Sequence, residues 1–158
     1  MIDPKSSGSA RAGSSTKFFT IDQLVGKYAY RFNGYVMAYN IRYYSVGVGL
    51  FEIHGHGQIS GRHRSSLSPL QGQQACLTTG VYDLKGTIKV DRSGTGDAGI
   101  RFTKVSGEGQ DVDGKFFVQV AGSADRLWFI SSGATLPNSK GVEADELVTL
   151  EAVRMAGF

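Results

Sequence analysis

Three side chains able to bind a metal alternate near position 54: Glu52, His54 and His56. On a continuous β-strand, alternate residues lie on one face, which would bring these donors to metal-ligand spacing. However, Gly55 and Gly57 flank His56, and a Gly-x-Gly pair between two strand patterns indicates a turn. The sequence therefore favours an exposed hairpin tip and no metal, with His54 and His56 as the ligands of the alternative.

His63 is the third imidazole of the chain, and it lies between Arg62 and Arg64. On a β-strand His63 would lie on the same face as the apolar Ile59, which predicts that its side chain faces the interior of the fold, near the rim. It could be a packed polar residue there, or a general base or anion-binding group at the opening of an interior pocket. Glu52 is the second candidate for proton transfer. The sequence has no nucleophile elbow, paired-carboxylate motif or Cys-His signature, so nothing supports hydrolase chemistry.

Two glycine-rich segments match nucleotide-binding patterns. Gly94-x-Gly-x-x-Gly99 has the dinucleotide fingerprint, and Gly109-x-x-x-x-Gly-Lys115 has P-loop spacing. Both precede strand patterns, whereas phosphate binding requires a helix N-terminus. In addition, Phe116 occupies the position where a P-loop needs Ser or Thr. Hairpin turns are the favoured interpretation of both segments, and no cofactor is expected.

The elements that must position these residues are almost all strands. Thr20 and Gln23 have capping-box spacing and Gly26 supplies a stop, which predicts one short helical turn over Thr20–Val25. The rest of the chain alternates between β-rich stretches and glycine or polar clusters. The eight predicted strands are Lys27–Met37, Tyr43–Ile53, Gln58–Leu67, Thr78–Val90, Gly99–Val105, Lys115–Ala121, Arg126–Ser131 and Glu146–Met155.

Sequential hairpins of eight strands predict an all-β fold, an antiparallel up-and-down β-barrel. Closure removes the exposed sheet edges, and eight strands leave an interior that holds side chains or one small ligand. Some strands are apolar on both faces, notably around Phe116, Phe117, Leu127, Trp128 and Phe129. The outward excess could cover a sandwich partner or a second subunit, that is, a homo-oligomer. Alternation predicts the inward positions Tyr28, Tyr30, Phe32, Tyr82, Leu84, Ile88, Val90, Ile100, Phe102, Phe116, Val118, Val148, Leu150 and Ala152.

Composition limits the classes of function. The 158 residues are 41% hydrophobic and carry a net charge of +3, a surplus too small to argue for nucleic-acid binding. No apolar run is long enough for a membrane span, and the single cysteine, Cys76, cannot form an internal disulfide. Residues 1–17 are mostly Ser, Gly, Ala and Thr and predict a flexible leader or cloning remnant ahead of a single barrel domain over 18–158. The start lacks a signal-peptide core, so a cytoplasmic protein, or an exported one with its signal removed, is expected.

The sequence also resembles a known group of barrels. The short helical turn, Gly26-Lys27-Tyr28 at the start of the first strand and Arg154 at the end of the last resemble the lipocalin-like, or calycin, arrangement. The pattern Gly26-x-Tyr-x-Tyr-x-Phe-x-Gly34, followed by Gly55-x-Gly-x-Ile-x-Gly61, is similar to uncharacterised bacterial calycin-like barrel domains. This resemblance implies a terminal basic side chain that crosses the first strand, and a pocket for a hydrophobic small molecule at one mouth.

Four inward aromatic residues are the predicted ligand contacts: Tyr30, Phe32, Tyr82 and Phe102. They form an apolar wall with two phenols able to orient a ligand. The leading hypothesis is a barrel that binds an apolar or aromatic small molecule. One alternative is a cofactor-free isomerase or cyclase, resembling the allene-oxide-cyclase-like barrels, with proton transfer by Glu52, His63 or a tyrosine. The other is a filled barrel that oligomerises through its outer strands.

Overall fold

A computed structural model of the protein describes residues 18–38, 41–69, 78–139 and 142–156. Single 3₁₀ turns occur at Gly55–Gly57 and Pro137–Ser139. The remaining elements are a helical turn, α1, and eight strands: α1 Ile21–Leu24, β1 Gly26–Ala38, β2 Ile41–Ile53, β3 Gln58–Pro69, β4 Thr78–Val90, β5 Thr95–Gly107, β6 Val112–Ala121, β7 Arg126–Leu136 and β8 Val142–Arg154.

The strands form a closed antiparallel barrel in which each strand pairs with its neighbours in the sequence and β8 pairs with β1. Along this β1–β8 seam, Arg31 stands opposite Glu151 and Asn33 opposite Thr149. Both pairs also interact through their side chains, with an ion pair of 2.8 Å and a hydrogen bond of 2.9 Å. The prediction of an eight-stranded up-and-down barrel is confirmed.

Alternation along the strands separates the core from the surface. Of the predicted inward positions, all are buried except Val90, which is half-buried and packs against the core. The outward neighbours Phe117 and Trp128 are 57% and 48% exposed, as their parity predicts. Inward apolar side chains thus form one large hydrophobic cluster, and Ala134 and Leu136 form a small second one, because the pleat places every second residue inside.

The end of the barrel that carries α1, called the helix end here, is closed by a network around Arg154. The Tyr28 hydroxyl donates to the Leu24 carbonyl at 2.8 Å and accepts a hydrogen bond from Arg154 Nη2 at 2.9 Å. The guanidinium also donates to the carbonyls of Gln23, Val25 and Ala124. Arg154 therefore crosses the start of β1, which the resemblance to calycin barrels implied.

Several boundaries differ from the sequence prediction. β5 begins at Thr95, so only Gly94 of the fingerprint segment lies in the turn, and Gly96 and Gly99 are strand residues. In the P-loop-like segment, Gly109 lies in the connection and Gly114 within β6. A glycine cluster resembles a turn in sequence, but in a closed barrel glycine is also favoured where backbones approach closely. Gly96 is such a case, because a Cβ there would overlap the Lys89 carbonyl of β4.

Candidate functional site

His63 lies in the middle of β3, where it is 3% exposed, and not at the rim as its sequence context predicted. Its imidazole is surrounded by the four predicted ligand-contact residues, whose ring centroids lie 5.2–6.0 Å from its own. We call this group the aromatic cage; its members are Tyr30, Phe32, Tyr82 and Phe102. Residues from β1, β4 and β5 thus converge on one imidazole, because the strands bring positions of the same inward parity to one level of the barrel.

One ring nitrogen of His63 is bonded to the cage. The Tyr30 hydroxyl and Nδ1 are 2.7 Å apart, and the two ring planes differ by 3°. Inward glycines of β2 make room for this pair, since a Cβ on Gly49 would lie 2.5 Å from the Tyr30 hydroxyl. A Cβ on Gly47 would lie 2.8 Å from His63 Nε2. Both distances are too short for a side chain, so the pair requires glycine at 47 and 49.

The second nitrogen, Nε2, points away from the helix end. Gly49 stands opposite His63 in the β2–β3 register. Gly47 is the next inward residue of β2 and lies nearer the end of the barrel opposite α1, which we call the far end. Since Nδ1 meets Tyr30 beside Gly49 and Nε2 lies against Gly47, the imidazole directs Nε2 towards the far half of the interior. Nε2 has no hydrogen-bond partner among the side chains that the structure describes.

Small and polar residues follow the cage towards the far end. The next inward positions are Gly34 after Phe32, Ser65 after His63 and Gly80 after Tyr82, and β2 contributes Gly47 and Ser45. On β1–β4 the inward positions next to the cage therefore carry little side-chain volume, whereas Val36, one inward step beyond Gly34, packs against the core again.

Ser45 adds a second polar group to the far half. It is 3% exposed, and its hydroxyl makes no side-chain hydrogen bond to any residue that the structure describes. The Tyr82 hydroxyl also points there and lies 3.4 Å from the Glu108 carbonyl. Buried polar groups are usually paired, so His63 Nε2 and the Ser45 hydroxyl, which have no partner among the described side chains, are the two exceptions in this half of the interior.

Burial controls the ionisation of His63 and of the two cage tyrosines. It lowers the pKa of His63 from 6.5 to about 4, because a charged imidazole would be separated from water. The same loss of solvation raises the pKa of Tyr30. For Tyr82, burial raises the pKa, and a hydrogen bond with the Ser65 side chain opposes this shift. The cage is therefore uncharged at neutral pH.

The other sequence candidates do not join this site. Glu52 alternates with the buried Phe51 and Ile53, so it lies on the outer face of β2, near His54 at 3.9 Å. His56 adopts φ 61° in the 3₁₀ turn, and His54 bonds Ser60 at 2.7 Å. The predicted hairpin tip is confirmed, and the strand that a metal site would need is broken there. Within the described ranges, no three His, Cys, Asp or Glu residues are grouped to hold a metal ion.

Sequence reasoning missed the contribution of β2. Its inward positions include Ser45, Gly47 and Gly49, and its outward row is apolar and exposed: Tyr44, Val46, Val48 and Leu50. This is the reverse of the usual alternation, in which apolar residues face the core. The sequence shows that apolar residues alternate with small or polar ones along β2, but only the contacts with neighbouring strands show which row faces inward.

The outer surface carries two shallow grooves separate from the cage. One, of about 590 Å³, runs over β6–β8 and β1 beside Phe117 and Trp128. The other, of about 530 Å³, lies over β2–β4 beside Val46 and Val48. Both are lined mainly by outward residues, and His63 is not part of either lining.

Fold and site together define a closed antiparallel β-barrel with a buried aromatic cluster centred on a histidine. Comparisons with known protein families, with curated proteins and with solved structures find no match for this chain. None of the helices in the described part of the chain is long and apolar enough to cross a membrane.

Proposed function

We propose that the barrel binds a small, mainly aromatic molecule in the far half of its interior, with the aromatic cage as the floor of the site. The observation that carries the proposal is the buried imidazole of His63, whose Nε2 has no partner among the described side chains. Ligand sites typically combine apolar walls with a few directed polar groups. Here the cage supplies the apolar floor, and His63, Ser45 and Tyr82 supply the polar groups.

Proton transfer, the basis of the isomerase or cyclase alternative, is less well supported by the same geometry. A general acid or base works best when its pKa lies near the working pH. Burial moves the pKa of His63 well below neutrality and that of Tyr30 well above its usual range. Glu52, the remaining candidate, lies on the outer face. Binding without covalent chemistry is therefore the function that these residues favour.

We further propose a calycin-like relationship for this barrel. The support is architectural: a closed eight-stranded meander, a helical turn before β1, and Arg154 of β8 bonded across the start of β1. In this arrangement the helix end is closed, which leaves the far end as the route by which a ligand would enter.

Titration with Nile red, an uncharged aromatic dye, tests the binding proposal. We expect saturable binding of one dye per chain. Ser45→Phe places a ring in the far half and should weaken binding at least about tenfold, or about 1.4 kcal/mol. Val46→Phe, the adjacent outward position, is the matched control and should bind as the wild type does.

Circular dichroism and thermal unfolding of both variants must first show a native fold. If both folded variants bind the dye like the wild type, the interior is not the binding site. Dye fluorescence that rises without saturation would indicate adsorption to the exposed apolar rows, and would also contradict the proposal.

A further inference from the structure

The hydrogen-bonding state of the buried Tyr30–His63 pair defines what the ligand must offer. Two arrangements satisfy the 2.7 Å contact: the phenol donates to Nδ1, or a protonated Nδ1 donates to the phenol. In the second case the phenol proton itself would need another acceptor. No described residue other than His63 bonds the Tyr30 hydroxyl, so this proton would be buried without a partner. The first arrangement is therefore favoured, since buried donors are rarely left unpaired.

The position of the remaining imidazole proton follows from this assignment. A neutral imidazole that accepts at Nδ1 carries its proton on Nε2. Nε2 lies against Gly47 and points to the far half, so His63 presents one N–H donor to that space. A ligand at the floor of the site must consequently supply a hydrogen-bond acceptor.

Charge limits the kind of acceptor. The buried polar residues of the described chain are Ser45 and His63, so no buried Lys or Arg in those ranges could compensate an anion. Burial of a carboxylate without a cation is strongly unfavourable, whereas a carbonyl oxygen carries no such penalty. Because burial keeps the His63 pKa at about 4, the imidazole itself supplies no positive charge near neutral pH.

We propose that the ligand is a flat, uncharged aromatic or conjugated carbonyl compound whose oxygen accepts a hydrogen bond from Nε2–H of His63. This inference rests on the proposed binding function and specifies the chemistry of its ligand. The rings of Phe32 and Phe102 approach the imidazole edge-on, at interplanar angles of 71° and 76°, and form apolar walls beside the donor. Tyr30 acts as a positioning residue, because it holds the imidazole in the tautomer that donates from Nε2.

Displacement of Nile red by three tricyclic compounds tests the proposal. Fluorene and fluorenone have nearly the same shape, but only fluorenone has a carbonyl oxygen, and fluorenecarboxylate adds a negative charge. We expect fluorenone to bind about fivefold tighter than fluorene, the effect of one neutral hydrogen bond. Fluorenecarboxylate should bind more weakly than fluorene.

Two variants show whether His63 supplies the donor. His63→Phe retains a ring but removes the N–H, and it should reduce the preference for fluorenone over fluorene to about one, while fluorene still binds. His54→Phe, at the exposed hairpin tip, should keep the wild-type preference. A preference that persists in folded His63→Phe would overturn the assignment.

An NMR measurement on the wild type does not depend on the folding of a variant. Long-range proton–nitrogen correlations of the histidine rings distinguish protonated from unprotonated nitrogens, and we expect His63 to carry its proton on Nε2. A proton on Nδ1 would overturn the inference. Equal affinity of the wild type for fluorene and fluorenone, or tighter binding of the carboxylate, would overturn it while leaving the binding function intact. Absence of any binding to the wild type would overturn both.

Discussion

At the scale of single residues, the most informative feature is an ionisable group kept neutral in an apolar interior. His63 is surrounded by four aromatic rings and bonded at Nδ1 by Tyr30. Removing an imidazole from water is tolerated because the neutral form loses far less solvation than the charged one. Such a group makes the stability of the fold depend on pH.

Stability should decrease as the pH falls from about 6.5 to about 4. In this window the unfolded chain binds a proton at His63 and the folded chain does not, so folding is progressively disfavoured. The full effect of this shift is about 3 kcal/mol. Among the described residues, the titratable groups that face His63 are Tyr30 and Tyr82, and both keep their protons throughout because burial raises their pKa values.

Urea unfolding of the wild type and of His63→Phe at pH 7 and pH 4.5 measures this dependence. The wild type should lose roughly 2–3 kcal/mol more than the variant between these values. His54→Phe serves as the control and should follow the wild type. Parallel pH profiles for the wild type and His63→Phe would show that His63 is not buried in the neutral form.

At the scale of elements, α1 and β8 together close one end of the barrel. α1 has only four residues, too short to be stable alone, so it depends on its contacts with the barrel. Arg154 supplies several of these contacts. Its guanidinium donates hydrogen bonds to the carbonyls of Gln23 in α1, Val25 just after α1, and Ala124 between β6 and β7. Its guanidinium also lies 5.2 Å from the centre of the Tyr28 ring.

We expect Arg154→Ala and Tyr28→Phe to be energetically coupled. Arg154→Ala leaves several carbonyls without donors and should destabilise the fold by about 2–3 kcal/mol. Tyr28→Phe removes only the hydroxyl that links α1 to Arg154, and the double variant should show a coupling energy of about 1 kcal/mol. Chemical unfolding of the four proteins measures the cycle.

Arg126→Ala, at an exposed position of β7, provides the control for loss of a surface charge and should combine additively with Tyr28→Phe. Additivity of Arg154→Ala with Tyr28→Phe would instead mean that the Arg154–Tyr28 contact does not stabilise the helix end.

At the scale of the whole molecule, closure depends on the seam between the first and last strands. Every other strand pair is a sequential hairpin, but β1 and β8 are brought together from distant parts of the sequence. Their register is supported by the Arg31–Glu151 ion pair and the Asn33–Thr149 hydrogen bond.

A disulfide across the seam should stabilise the barrel. Asn33→Cys with Thr149→Cys, made in a Cys76→Ser background, places two thiols at opposed positions of β1 and β8. Oxidation closes a loop that spans most of the chain and should add about 2–4 kcal/mol to the free energy of unfolding. Thermal unfolding of the oxidised and reduced forms measures the gain.

The control combines Asn33→Cys with Glu151→Cys, two residues out of register, which should oxidise poorly. Efficient oxidation of the mismatched pair and none of the matched pair would show that the β1–β8 register is different from the one described.

Side-chain patterns along the chain were enough to predict the class of fold and the membership of the aromatic cage. Alternation of side chains is a local property of each strand, so the pattern alone assigns Tyr30, Phe32, Tyr82 and Phe102 to the interior. The glycine-rich turn around His56 and the role of Arg154 were also accessible, through turn chemistry and through the resemblance to calycin barrels. Strand ends were less accessible, because the glycines at 96 and 114 resemble turn residues while they serve close packing within strands.

How these residues meet depends on the arrangement of the strands in the closed barrel. Parity places His63 inward, but its depth depends on the stagger of β3 against β2 and β4, which no single strand encodes. The space for its imidazole comes from Gly47 and Gly49 on another strand, and its bond to Tyr30 joins residues 33 positions apart. The burial that keeps His63 neutral, and the direction of its Nε2 atom, are properties of the closed barrel because they arise from contacts across strands.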